Sequence, residues 1–150
     1  IAQMYYGTEV LLDNTGSNDH GDIRIDFPGG FAGQTVNAFT GKGLTNAQRE
    51  MYQTLRTLLN FRKQSPALGY GKLTHFSPQQ GIYSYARIAN EQIVLVFLNK
   101  NKQAKNWSLG YMQEVVKQHT TATNLFTEQQ INLTDAITLT PMSATVLVIE

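Results

Sequence analysis

Gly81-Ile82-Tyr83-Ser84-Tyr85-Ala86-Arg87-Ile88-Ala89 and Gln92-Ile93-Val94-Leu95-Val96-Phe97-Leu98, separated by Asn90-Glu91, form the stretch on which the fold turns. Both runs are rich in β-branched and aromatic residues and are bounded by turn-forming ones, so each reads as a short strand. Tyr83 and Tyr85 share one face of the first strand, which is expected to be the core face. Working outward, further short runs fall at 73–77, 107–109, 119–125, 130–133, 137–139 and 144–149. Many short strands at this spacing predict a mostly β chain whose C-terminal domain, residues 71–150, is an antiparallel Greek-key β-sandwich.

Upstream the period changes from alternating to helical. Thr45 offers a hydroxyl as N-cap and Gln48 reaches back to it, a capping box that opens a helix over 46–64. Ala47, Met51, Leu55, Leu58 and Leu59 recur on one face, which is expected to be buried. Arg62 and Lys63 favour the negative end of the dipole, and Ser65-Pro66 stops the helix. Residues 13–43 read as one long loop punctuated by Pro28-Gly29-Gly30, and loops of that length are usually functional. Residues 1–12, with Met4, Tyr5 and Tyr6, read as a strand buried on both faces.

Charged residues are 15% of the chain and the formal charge is +1, so no basic stripe neutralises phosphates. Nucleic acid and anionic membrane are poor partners on that ground, whereas neutral ligands such as sugars remain open. The absence of Cys excludes disulfides and thiolate metal sites and leaves periplasmic and cytoplasmic settings equally compatible. The longest apolar run, at 93–98, is far too short for membrane insertion. Asn106-Trp107-Ser108 and Asn132-Leu133-Thr134 match the glycosylation acceptor pattern at chance level.

Four segments, in their order and spacing, carry a resemblance. Met4-Tyr5-Tyr6-Gly7-Thr8-Glu9, then Gly21-Asp22-Ile23-Arg24-Ile25-Asp26-Phe27-Pro28-Gly29-Gly30, then Arg62-Lys63-Gln64-Ser65-Pro66-Ala67-Leu68, then the strands from Gly81 resemble the end of the alpha-amylase family of glycoside hydrolases. The Phe-Pro-Gly-Gly form is most similar to the neopullulanase and cyclomaltodextrinase group. The resemblance implies that residues 1–68 are the last strand, loop and helix of a truncated (β/α)8 barrel, and that the sandwich follows it. It also implies retaining cleavage of α-glucosidic bonds in starch-derived oligosaccharides by carboxylates from earlier barrel strands, before residue 1. Neither a catalytic residue nor a cofactor is expected in this chain, which alone should not hydrolyse glycans.

The barrel rim is what remains. Arg24 is the candidate sugar contact, since a guanidinium forks two hydrogen bonds to adjacent hydroxyls, with Asp22 and Asp26 placed to orient it. Glu9 is expected to anchor the loop. The run at 13–19 invites a calcium reading but departs from the EF-hand template at Asn18 and Arg24, so no metal site is expected there. His20, His75 and His119 lack short ligand spacing, and Ser17 and Ser65 lack a nucleophile elbow. Trp107 is the candidate sugar platform on the sandwich, set against a place in its core.

The expected partners are an α-glucan or maltooligosaccharide bound by the barrel, the barrel itself packed against the sandwich, and a second copy in a homodimer. A noncatalytic carbohydrate-binding or dimerisation module is the alternative reading. Without barrel partners, residues 1–45 are expected to be disordered, refolded onto the sandwich, or paired with a second copy through an open strand edge.

Overall fold

A computed structural model describes residues 3–14, 16 and 18–150. The parts of the expected first strand at Ile1 and Ala2, and of the 13–19 run at Thr15 and Ser17, lie outside the described residues. The chain divides into two compact units, residues 1–59 and 60–150.

The second unit is the sandwich. A six-stranded antiparallel sheet has the order β1-β2-β3-β8-β5-β6, and a two-stranded sheet pairs β4 with β7. The strands are β1 (Lys72–Gln79), β2 (Ile82–Ala89), β3 (Gln92–Asn99), β4 (Lys105–Ser108), β5 (Thr121–Asn124), β6 (Gln130–Asn132), β7 (Ala136–Leu139) and β8 (Ser143–Ile149). Twice the chain leaves the large sheet for the small one, and β8 returns between β3 and β5, which closes the Greek key. All eight expected strands are present, with shifted ends.

Sixteen buried residues form the core of this unit. Ile82, Ala86, Ile93, Leu95, Phe97 and Leu147 contribute from the large sheet, and Trp107, Ile137 and Leu139 from the small one. Two strands cannot cover six. The segment between β4 and β5 supplies the rest: a 3₁₀ turn (Leu109–Met112) runs into α3 (Gln113–Val116), burying Leu109, Met112, Val115 and Val116. Each such burial is worth roughly 1.5–3 kcal/mol relative to exposure.

Tyr83 and Tyr85 do not face this core. Their neighbours Ile82 and Ala86 point inward, so strand alternation places both rings on the opposite face, half-buried and 5.8 Å apart. They stand opposite Leu98 and Val96 of β3. Burial, and the neighbouring Tyr83 after it, push the Tyr85 hydroxyl above its usual pKa, with Arg87 opposing.

α1 (Asn46–Gln64) has the expected bounds. The Thr45 amide donates to Gln48 Oε1 at 2.9 Å and the Gln48 amide donates to Thr45 Oγ1 at 3.3 Å, so the capping box is formed. Its apolar stripe is not buried: Met51, Leu55 and Leu58 are half-buried, while Ala47 and Leu59 are exposed. No helix or sheet among the described residues makes the extensive contact that such a stripe needs. Ser65 ends the helix and caps a short second one, α2 (Pro66–Tyr70), accepting from the Leu68 amide at 3.2 Å. The Ser65 hydroxyl also donates to Gln92 Oε1, and Gln92 Nε2 donates to Glu150 at 2.8 Å. These bonds fix α2 against β2 and β3.

The expected first strand is not formed among the described residues. Gly7 and Leu11 have φ of 82° and 48°, left-handed values that an extended strand excludes, and a 3₁₀ turn (Thr8–Val10) lies between them. Tyr5 and Tyr6 are exposed instead of doubly buried. Among the described residues of the first unit, Val10, Ala38 and Leu44 form a small core joined by Leu12, Phe27, Val36 and Tyr52.

Candidate functional site

The long loop owes its shape to local polar groups. Asp19 Oδ1 accepts from the amides of Gly21 and Asp22 at 2.7 and 3.2 Å, an Asx turn, and Asn14 Nδ2 donates to the Asp22 carbonyl at 2.6 Å. Further on, Gln34 Oε1 accepts from the amides of Gly30 and Phe31 at 2.9 and 3.1 Å, which closes the Pro28-Gly29-Gly30 bend. Glycine is required at Gly30, where φ is 79° and a Cβ would meet Asn37 Nδ2 at 2.1 Å.

Asp22, Arg24 and Asp26 are all exposed on this loop. The Arg24 guanidinium donates to the His20 carbonyl at 2.6 Å, a bond to the loop's own backbone. Tyr6, read in the sequence only as part of the expected strand, belongs beside them: its hydroxyl donates to the Ile25 carbonyl at 3.0 Å. Partial desolvation raises its pKa, Tyr5 and Asp26 add to the rise, and Arg24 opposes it. The loop thus presents a guanidinium, two carboxylates and a phenol to solvent, a set suited to hydrogen-bonding hydroxyls. Glu9 lies in the 3₁₀ turn at Thr8–Val10.

Trp107 cannot be a sugar platform. It stands opposite Ile137 on the inward face of β4 and is 5% exposed. Its ring stacks on Tyr111 at 6.1 Å, and Tyr111 is 60% exposed. The indole Nε1 is buried without a hydrogen-bond partner among the described residues. Among the described residues no three His, Asp or Glu side chains converge to hold a metal ion. Ser65, with its hydroxyl engaged by Gln92 and Leu68, is a capping residue.

The sandwich carries a groove lined without charge. It opens where β6 and the turn before it approach β7 and the start of β8, with a volume of about 550 Å³. Ile137 and Leu147 are buried beneath it, and Phe126 stands at its edge.

Comparison with known proteins agrees with this architecture. The sequence model of the "Cyclo-malto-dextrinase C-terminal domain" matches residues 73–148. A cyclomaltodextrin glucanotransferase of Klebsiella oxytoca is 29% identical over 102 residues, which is 68% of this chain and 14% of the relative. Another from Geobacillus stearothermophilus is 24% identical over 109 residues, 73% of this chain and 13% of the relative. This chain therefore spans only about a seventh of either one. Among solved structures, an Anoxybacillus alpha-amylase superposes with a TM-score of 0.70 at 18% identity, covering 97% of this chain and 28% of that one. The alpha-amylase from Geobacillus thermoleovorans, complexed with acarbose, gives 0.68 at 16% identity with the same coverage. At these identities the likeness concerns the fold.

Proposed function

Residues 73–148 make this chain a member of the cyclo-malto-dextrinase C-terminal domain family, and from that membership we propose that it is the C-terminal part of an enzyme hydrolysing α-glucosidic bonds in starch-derived oligosaccharides, of the neopullulanase and cyclomaltodextrinase type. On this reading residues 1–68 are the closing part of the catalytic barrel and residues 71–150 its sandwich. The catalytic carboxylates belong to the barrel outside this chain, and Arg24, Asp22 and Asp26 contribute to its sugar-contacting rim. The family match carries the proposal; the exposure of the three loop side chains is consistent with it.

The purified chain, given cyclomaltodextrin, pullulan or maltoheptaose, is expected to release no reducing ends above the uncatalysed rate. Turnover that disappears on Asp22→Asn or Asp26→Asn would put the catalytic carboxylates inside this chain and overturn the reading.

The outer face of the large sheet suits a packing role. Leu73 and Leu98 are 53% and 42% exposed there, beside half-buried Tyr83 and Tyr85. The rest of the parent enzyme is the proposed occupant, and a second copy competes with it. Sedimentation of the chain as a monomer at micromolar concentration favours the first, and a dimer lost on Leu98→Asp favours the second.

A further inference from the structure

The charge-free groove on the sandwich has the chemistry of a binding site. None of its thirteen lining residues is ionisable; seven carry a hydroxyl or carboxamide and six are apolar. Such a surface offers nothing to an ionic ligand. It matches a pyranose, whose ring presents an apolar face and whose rim presents neutral hydroxyls that both donate and accept.

Two further observations distinguish the groove from ordinary surface. The first is rigidity at its edge. Asn124 Oδ1 accepts from the amides of Phe126 and Thr127 at 2.9 and 3.3 Å, and its backbone exchanges hydrogen bonds with Glu128 and Gln129, both at 2.8 Å. The turn is completed by Glu128 in the left-handed region, φ 58°. Phe126, 37% exposed, is therefore presented by a fixed backbone instead of a mobile loop tip, so little conformational entropy would be lost on stacking a ligand against it. The second is capacity. The side chains of Thr127, Gln130 and Thr145 form no hydrogen bond among the described residues, whereas Asn124, Thr138 and Thr140 are already engaged.

We propose that this groove binds a neutral oligosaccharide, with Phe126 as its ring platform and Thr127, Gln130 and Thr145 as hydroxyl partners. That the sugar is an α-linked glucan rests on the function proposed above; the preference for a neutral polyhydroxylated ligand rests on the groove. The site lies entirely within residues 124–147, so it would act as a substrate-holding contact apart from the loop at Arg24.

Amide NMR titration of the whole chain with maltoheptaose, and separately with cellohexaose, tests this. An affinity of about 1 mM suffices for near-saturation at about 10 mM sugar. Shifts confined to residues 124–147, weakened about tenfold or more by Phe126→Ala and also reduced by Gln130→Ala, are expected with maltoheptaose. Both side chains are exposed, so both variants are expected to keep the wild-type unfolding temperature. Shifts at the groove with cellohexaose alone support the site and overturn its assignment to α-glucans. No shift with either sugar, shifts only around Arg24, or a Phe126→Ala variant that titrates like wild type would overturn the groove while leaving the family-based function untouched.

Discussion

Asn99 is the polar residue on which one end of the sandwich depends. It is 3% exposed, and its Nδ2 donates to the carbonyls of Thr140, Leu139 and Gln103 at 2.7, 3.3 and 3.4 Å. Its Oδ1 accepts from the backbone and side chain of Asn101 at 3.0 and 2.9 Å, and Asn101 Nδ2 continues to the Gln80 carbonyl at 2.8 Å. Three connections are thereby tied together by one carboxamide. Removing it takes a donor from the buried Leu139 carbonyl and unties the three connections, so Asn99→Ala is expected to cost about 1–3 kcal/mol, read as a lower urea midpoint with an unchanged slope. Lys117 is the opposite case. It occupies φ 51°, ψ −119°, the first central position of a type II′ turn closed by the His119 amide on the Val116 carbonyl at 3.0 Å. That position prefers glycine, and Lys117→Gly is expected to stabilise by about 1 kcal/mol, raising Tm by a few degrees. Sequence reading at this scale went astray where alternation alone had to choose a face. Period two places Tyr83, Tyr85 and Arg87 together and Ile82, Ser84 and Ala86 together, but it does not say which set is inward. The charge on Arg87 was the legible cue, because an arginine is rarely found in a sandwich core.

Elements were more legible than residues wherever their period was sustained. The eight strands were readable because each is a short run rich in apolar or β-branched residues, alternating or, in β3, continuous, with a polar turn beside it, and α1 because a capping box opens it and Ser65-Pro66 ends it. Thr45→Ala should fray the first turn, costing about 1 kcal/mol, which would appear as faster amide exchange at residues 46–49. α2 and α3, five and four residues long, were not readable because one helical turn has no period to detect. Yet Met112, Val115 and Val116, at steps of three and four, were a signal that the stretch after β4 buries one face. The first expected strand failed for a different reason. Apolarity and β propensity at Met4, Tyr5 and Tyr6 speak to burial in a sheet, and a strand without hydrogen-bonded neighbours has no ladder to join. The candidate loop was legible as a loop and by its residue types; its Asx turn and the His20 bond to Arg24 depend on backbone geometry that periodicity does not encode.

The two units differ greatly in what holds them. The sandwich has sixteen buried apolar residues in one cluster, whereas among the described residues of the first unit three form a core, helped by four partly buried neighbours. Opening free energy follows buried apolar contact, so hydrogen exchange should be slowest in β2, β3 and β8 and markedly faster across residues 3–45. Brief thermolysin digestion is expected to cut within 13–43 and leave a resistant piece containing residues 72–150; equal protection of both units would contradict this. The sandwich core also contains the only tryptophan of the chain, Trp107, 5% exposed and stacked on Tyr111. That placement gives the molecule an optical probe of one unit alone. Indole emission should be blue-shifted in the native state and move to the red only when the sandwich opens, remaining silent while the first unit melts, so a comparison of fluorescence with circular dichroism at the α1 helix would separate the two transitions without any label.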